Sequence, residues 1–251
     1  MNNSLTLSRQ PIFQFALALL KGSLNDPRTF VISLLTPLML LTPFWVLTRT
    51  GENGAALMSF MFPSLVGFTV MLSGQALALR ILNWRQQGIF QRLACTPVPL
   101  GHLVLGMALA QTLTAMLQGA LVLLFGVFVL RLPVSALGAA AVVLALTLGS
   151  ACFIAYGAVI STFVGKPETA SAVFIFTLMP MYFLGGGLPP EVLPEFLRAV
   201  GQWLPTTLLT DLLHALLTSG QLPDEPLRPI LGLLAYTLVL TVIAARQFRW
   251  E

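Results

Sequence analysis

LGAAAVVLALTLG, residues 137–149, decides the fold class. It holds one polar side chain, Thr147, and apolar and polar residues do not alternate along it. A lipid-facing barrel strand alternates over about ten positions, so this run reads as helix. The apolar character extends over residues 136–164. A spanning helix needs about 20 mostly apolar residues, because the hydrocarbon core is about 30 Å thick and each residue rises about 1.5 Å. Five more segments meet that requirement, at about 29–48, 57–79, 103–130, 169–187 and 227–245, and none has Asp, Glu, Lys or Arg in its central part. The expectation is an all-α membrane protein of six transmembrane helices, forming one domain over residues 1–251.

Composition agrees. Hydrophobic residues make up 57% of the chain and charged residues 9%, against about 45–50% and about 25% in soluble domains. Mean hydropathy is +0.88. Thirteen Lys and Arg with nine Asp and Glu are too few to coat a soluble domain of 251 residues. The net charge of +4 does not indicate nucleic-acid binding, because the basic residues are scattered singly and form no stripe.

The charges do set an orientation. One side carries Arg9, Lys21, Arg28, Arg80, Arg85, Arg92, Lys166, Arg246 and Arg249 against Asp26, Glu168 and Glu251, a net +6. The other carries Arg49, Arg131, Arg198 and Arg228 against six acids, a net −2. Lys and Arg are retained in short cytoplasmic loops, so both termini are expected in the cytoplasm and the location is a plasma or bacterial inner membrane. The N-terminal IFQFALALL has a signal-like apolar core, but Lys21 follows and no A-x-A pattern appears. Gln10, Gln14, Lys21, Asn25 and Arg28 recur at helical spacing instead, which predicts an amphipathic helix lying in the interface.

Two connecting segments are long enough to work. One is cytoplasmic, Arg80 to His102; the other is external, 188–226, half apolar, with short helical patterns broken by Pro194, Pro205 and Gly220. The external pieces are expected to re-enter the outer leaflet, and Pro180 with Gly185, Gly186 and Gly187 to bend or end the fifth span.

Chemistry is sparse. The one Gly-Lys pair, Gly165-Lys166, lacks the first glycine of a phosphate loop and is followed by Pro167, so no ATPase site is expected in this chain. LSGQ at residues 72–75 resembles the LSGGQ signature of cassette ATPases but lacks a glycine and lies inside a span, so it reads as coincidence. His102 and His214 fall on opposite sides and neither has a metal-ligand partner, so no metal is expected. Cys95 and Cys152 read as free thiols. Gln111, Thr114 and Gln118 share one face of the third span, and Gln75 sits in the second. Such groups in hydrocarbon need partners, which makes them either helix-to-helix hydrogen bonds or a substrate path. Ala141, Ala145, Gly149, Gly157 and Ser161, interrupted by Phe153, form a small-residue stripe for close helix packing.

RQQGIFQRLACTPVPLGHLVLGM, residues 85–107, resembles the cytoplasmic coupling segment of ABC-2 type permeases, with Gly88, Arg92, Leu93, Thr96 and Pro97 matching. Gln86 stands where an acid is common, and Ile89 and Gln91 replace the usual Thr and Glu. FLGGGLPPEVLPEFLRAVGQWLPTTLL resembles the family's exit from the fifth span, and LNDPRTFVISLLTPL its entry to the first, with Asn25 in place of an arginine.

This resemblance implies the membrane subunit of an ABC exporter, working beside a second, identical or paralogous permease chain and two copies of a cassette ATPase that binds ATP and magnesium. No cofactor is expected in the chain itself. The coupling residues would be Arg85, Gly88, Ile89, Arg92, Leu93, Thr96 and Pro97, with Arg85 and Arg92 on one face of a short helix between spans two and three. Gln75, Gln111, Thr114 and Gln118 would line the path. A hydrophobic or amphiphilic substrate such as a drug, antibiotic or lipid is expected; a polysaccharide or glycolipid is the alternative. An ATP-independent channel or transporter is disfavoured by the absence of ionisable residues at the midplane, and a membrane-embedded enzyme is the third option.

Overall fold

The computed structural model describes residues 15–22, 54–95, 99–130, 136–188, 193–219, 223 and 225–247, with the single residues 31, 35, 39, 42 and 46. Eight α-helices follow residue 54 in this part: α1 (Gly54–Gln86), α2 (Ile89–Ala94), α3 (Leu100–Leu130), α4 (Ala136–Phe163), α5 (Pro167–Tyr182), α6 (Glu195–Gly201), α7 (Pro205–His214) and α8 (Leu227–Gln247). Among the described residues, α1, α3, α4, α8 and α5 with its extension are long and apolar enough to cross a membrane. The expected first span, 29–48, lies outside the described residues, except that Val31, Leu35, Met39, Thr42 and Val46 are helical.

Four spans end within three residues of expectation; α1 overruns. Its apolar run stops at Arg80, yet Ile81 and Leu82 are fully buried and continue the helix. Thirty-three residues rise about 50 Å, more than a hydrocarbon core is thick.

The bundle is organised on α1 and α4, which pack against each other most extensively. They meet backbone to backbone: a Cβ built on Gly157 would lie 2.0 Å from the Gly74 carbonyl oxygen, and one on Gly74 2.0 Å from that of Phe153. Along the small-residue stripe, Ala145 and Ser161 are fully buried and Gly149 faces Leu209 and Val70. The glycine of LSGQ is therefore a crossing point between helices. A main core of Phe62, Val70, Met71, Phe153, Phe174 and Leu209 fills the bundle, and a smaller one of Leu77, Ile81, Phe90, Met107 and Ile154 sits at the α2 end.

Alpha-5 runs through Pro180 and then widens into a π-turn, Phe183–Gly187, broken at Gly185 (φ −98°, ψ 23°) and Gly186 (φ 117°, ψ 2°). The break leaves carbonyls without helical partners, and hydroxyls take them: Ser64 donates to Gly186 O at 2.6 Å and Thr206 to Met181 O at 2.7 Å. The segment after it forms α6 and α7, as its patterns predict. The apolar face of α7, including Leu208, Leu209, Leu212 and Leu213, is buried in the main core beside α1, α4 and α8.

Candidate functional site

The elbow between α1 and α2 is built by one glycine. After Gln86 the chain turns at Gly88, whose φ of 63° and ψ of 20° lie in the left-handed region that a Cβ disfavours. The Gly88 amide still donates to Arg85 O at 3.1 Å, closing the end of α1. Alpha-2 then runs for six residues and stops at Cys95, whose amide donates to Arg92 O.

A six-residue helix does not hold itself in water, so packing must fix it. Phe90 supplies that anchor: it is 2% exposed and its ring lies 6.0 Å from that of Trp84 on α1. Trp84 in turn stands edge-on to Phe15, 6.1 Å away, in the helical stretch 15–22. Phe15 and Leu19 pack on this end of the bundle, and Ala16 is buried, while Lys21 is exposed. Of the polar stripe predicted for the N-terminal helix, only Lys21 falls in the described residues. The other face of α2 is open: Gln91, Arg92, Ala94 and Cys95 are exposed, with Ile89 and Leu93 half-buried. Arg92 folds back to donate to Gln87 O at 3.1 Å. Thr96 and Pro97 lie outside the described residues.

The placement of Arg85 corrects the expectation that it shares a helical face with Arg92. Gly88 breaks the helix between them, so Arg85 belongs to α1, where it is half-buried and donates to Ser161 O on α4 at 3.1 Å. Two residues of this region escaped sequence reading. Trp84 and Phe90 are six apart across a left-handed turn, which no single period connects.

The proposed polar path divides. Gln75 Nε2 donates to Ser171 Oγ on α5 at 2.8 Å. Gln111 is buried on α3, and Thr114 and Gln118 are half-buried there, the Thr114 hydroxyl donating to its own helix at Ala110 O. Alpha-3 packs on α1 with Met107 among Leu77 and Ile81, and Leu77 is about 200° around α1 from Gln75. Within one chain, Gln75 and the α3 polar face are thus on different sides of α1. Alpha-5 instead gathers polar contacts that the sequence reading passed over, including Tyr156 OH to Thr177 Oγ1 at 2.5 Å. Of the aromatics in the spans, Phe174 is fully buried, Phe68 packs on Tyr182 at 4.9 Å, and Phe176 and Phe183 are exposed.

At the opposite end, the turn after α6 is tied to α8. Tyr236 OH donates to Trp203 O at 2.9 Å, and Arg228 lies over the Trp203 ring at 5.3 Å. Asp211 on α7 is exposed at its surface, but the apolar surroundings of its carboxyl push its pKa up, the Arg228 charge opposing that rise. His214 ends α7 with its ring 5.9 Å from Phe60, and burial pushes its pKa down. His102 lies at the start of α3. Among the described residues no three His, Cys, Asp or Glu come together as metal ligands. Cys95 and Cys152 are free thiols.

The comparisons with known proteins fit this arrangement. The family model for ABC-2 family transporter proteins matches residues 45–246. Over 153 residues the chain is 30% identical to YvfS of Bacillus subtilis (strain 168), a candidate transport permease; the match covers 60% of each protein.

Proposed function

This chain belongs to the ABC-2 family of transporter proteins, and from that premise we propose that it is the permease subunit of an exporter driven by a separate cassette ATPase. The observation that carries the proposal is the elbow. A short helix, anchored by Phe90 and aimed by Gly88, stands at the end of the central helix α1 and exposes Arg92 on its outer face. A membrane protein without its own phosphate loop needs such a stiff polar piece for an ATPase to push, since coupled motion requires a rigid element at the contact. On this reading Gly88 sets the angle of α2, Ile89, Arg92 and Leu93 contact the ATPase, and Thr96 and Pro97 return the chain to α3.

The elbow then faces the cytoplasm, where the basic side of the chain also lies, and α6 and α7 dip into the outer leaflet. A second permease chain pairs with this one, and two ATPase copies sit below them. The exposed face of α5, with Ile175, Phe176, Met179 and Phe183, forms one wall of the path, Gln75 supplying an amide beside it. Gln111, Thr114 and Gln118 belong to the α3 side. An apolar wall with amides and no fixed charge suits a hydrophobic or amphiphilic substrate, moved outward.

The test uses the full chain co-purified with a cassette ATPase in lipid nanodiscs, reading ATP hydrolysis by the complex against the ATPase alone. Arg92→Glu should leave assembly intact and abolish the difference in rate. Unchanged stimulation in an assembled complex would remove the elbow from the coupling role.

A further inference from the structure

We infer that Arg85 is a strut that locks α1 to the end of α4, so that movement of α2 is delivered to α5 through α4. Three observations place it there. First, α1 and α4 touch backbone to backbone at Gly74 and Gly157. Second, Arg85 comes eleven residues further along α1 and reaches Ser161, only four residues past that crossing on α4. An arginine side chain in a helix leans back toward the N-terminus, the direction this offset requires. Third, Ser161 is in the last turn of α4, which ends at Phe163 with Val164 N donating to Ile160 O. The Ser161 carbonyl is one of the four that a helix end leaves without an intrahelical donor. A guanidinium there satisfies that carbonyl and complements the negative end of the helix dipole.

The consequence is mechanical. Arg85 with Ser161 adds a polar tie at the α2 end of a helix pair already packed at Gly74 with Gly157 and at Leu77 and Ile81 with Ile154, and so fixes the last turn of α1 against the last turn of α4. Alpha-4 passes through a turn of three residues, Val164 to Lys166, into α5. The elbow is therefore joined to α5 by the strut as well as along α1, and Arg85 is a positioning residue instead of an ATPase contact. Its use in driving transport rests on the function proposed above, whereas the strut itself can be read on the chain alone.

The experiment is a pulsed-EPR distance in nanodiscs between spin labels on native Cys95, which is exposed at the end of α2, and on Lys166→Cys at the start of α5, in a Cys152→Ala background. The otherwise native chain should give one narrow distance. Arg85→Met should lose it to a broad or split distribution, and Arg85→Lys, which keeps a cationic donor, should retain it. Arg85→Gln provides a second variant should the methionine form not fold, and it too should broaden. A narrow distance in either neutral variant overturns the strut, as does equal broadening in Arg85→Lys. An ATPase assay of the complex that fails while the distances behave as expected would overturn the functional reading and leave the strut standing.

Discussion

At Gly157 there is no room for a methyl group. The Gly74 carbonyl oxygen occupies the place of a Cβ at 2.0 Å, and backbone on both sides means nothing can turn aside. Overpacking of ordinary cores costs about 1–3 kcal/mol, so Gly157→Ala should exceed that range and lower the detergent melting temperature sharply. Gly101→Ala, with nothing within 4 Å, should be neutral or gain up to about 1 kcal/mol from helix propensity. The stripe containing Gly157 was legible as spacing, but its partner was not, because Gly74 is a single glycine in a fragment with no period of its own. His214 makes a second residue-scale case. The Thr218 hydroxyl donates to the His214 carbonyl and lies 3.1 Å from the ring Nδ1. Burial lowers the folded-state pKa of this histidine from 6.5, so the stabilising effect of the neutral ring is complete above about pH 6.5 and is lost as pH falls through the lower folded value. Melting temperature should therefore drop on acidification, and His214→Phe should flatten that part of the profile; an unchanged slope would refute the assignment.

Alpha-5 is held by polar contacts as well as by the buried Ala170, Phe174 and Leu178. Its surface is largely exposed, with Phe176 83% accessible, and polar clasps hold it along its length: Gln75 to Ser171, Tyr156 to Thr177, Thr206 to Met181 O and Ser64 to Gly186 O. Interhelical hydrogen bonds in membrane proteins average about 0.6 kcal/mol and reach about 1.7 kcal/mol. A double-mutant cycle on Tyr156→Phe and Thr177→Val, read by reversible unfolding in mixed micelles, should give a coupling energy within that range; zero coupling would mean that the contact holds nothing. The helix itself was plain from its apolar run, whereas its clasps were not, since Tyr156 and Thr177 read as ordinary residues of two separate spans. The elbow shows the same limit. A run from Arg85 to Ala94 looks like one continuous helix, and only the left-handed turn at Gly88 separates Arg85 from Arg92. Gly88→Ala should strain that turn by about 1–2 kcal/mol, while Gly88→Asn, which tolerates the left-handed region better, should lose less; the comparison is read as melting temperature.

For the whole molecule, the burial pattern follows from having two solvents. Apolar side chains on the outer faces of α3, α5 and α8 are exposed in the bundle, and an apolar surrounding, lipid or an apolar partner surface, has to cover them. The same geometry puts α2, the α4–α5 turn and the last turn of α8 at one end, where Arg92, Lys166 and Arg246 are exposed. The α6–α7 turn is at the other, with Gln202 and Trp203 exposed. Lys and Arg excess retains short loops on the cytoplasmic side, and the net +6 against −2 predicts which end that is. Cys95 offers a native reporter of it, being exposed while Cys152 is buried. In intact cells a membrane-impermeant maleimide should leave Cys95 unmodified, and permeabilisation should expose it. A Gln202→Cys variant in a Cys95→Ala background should label from outside without permeabilisation. The reverse pattern would invert the molecule in the membrane, place the elbow out of reach of any cytoplasmic ATPase, and overturn the proposed function together with the orientation.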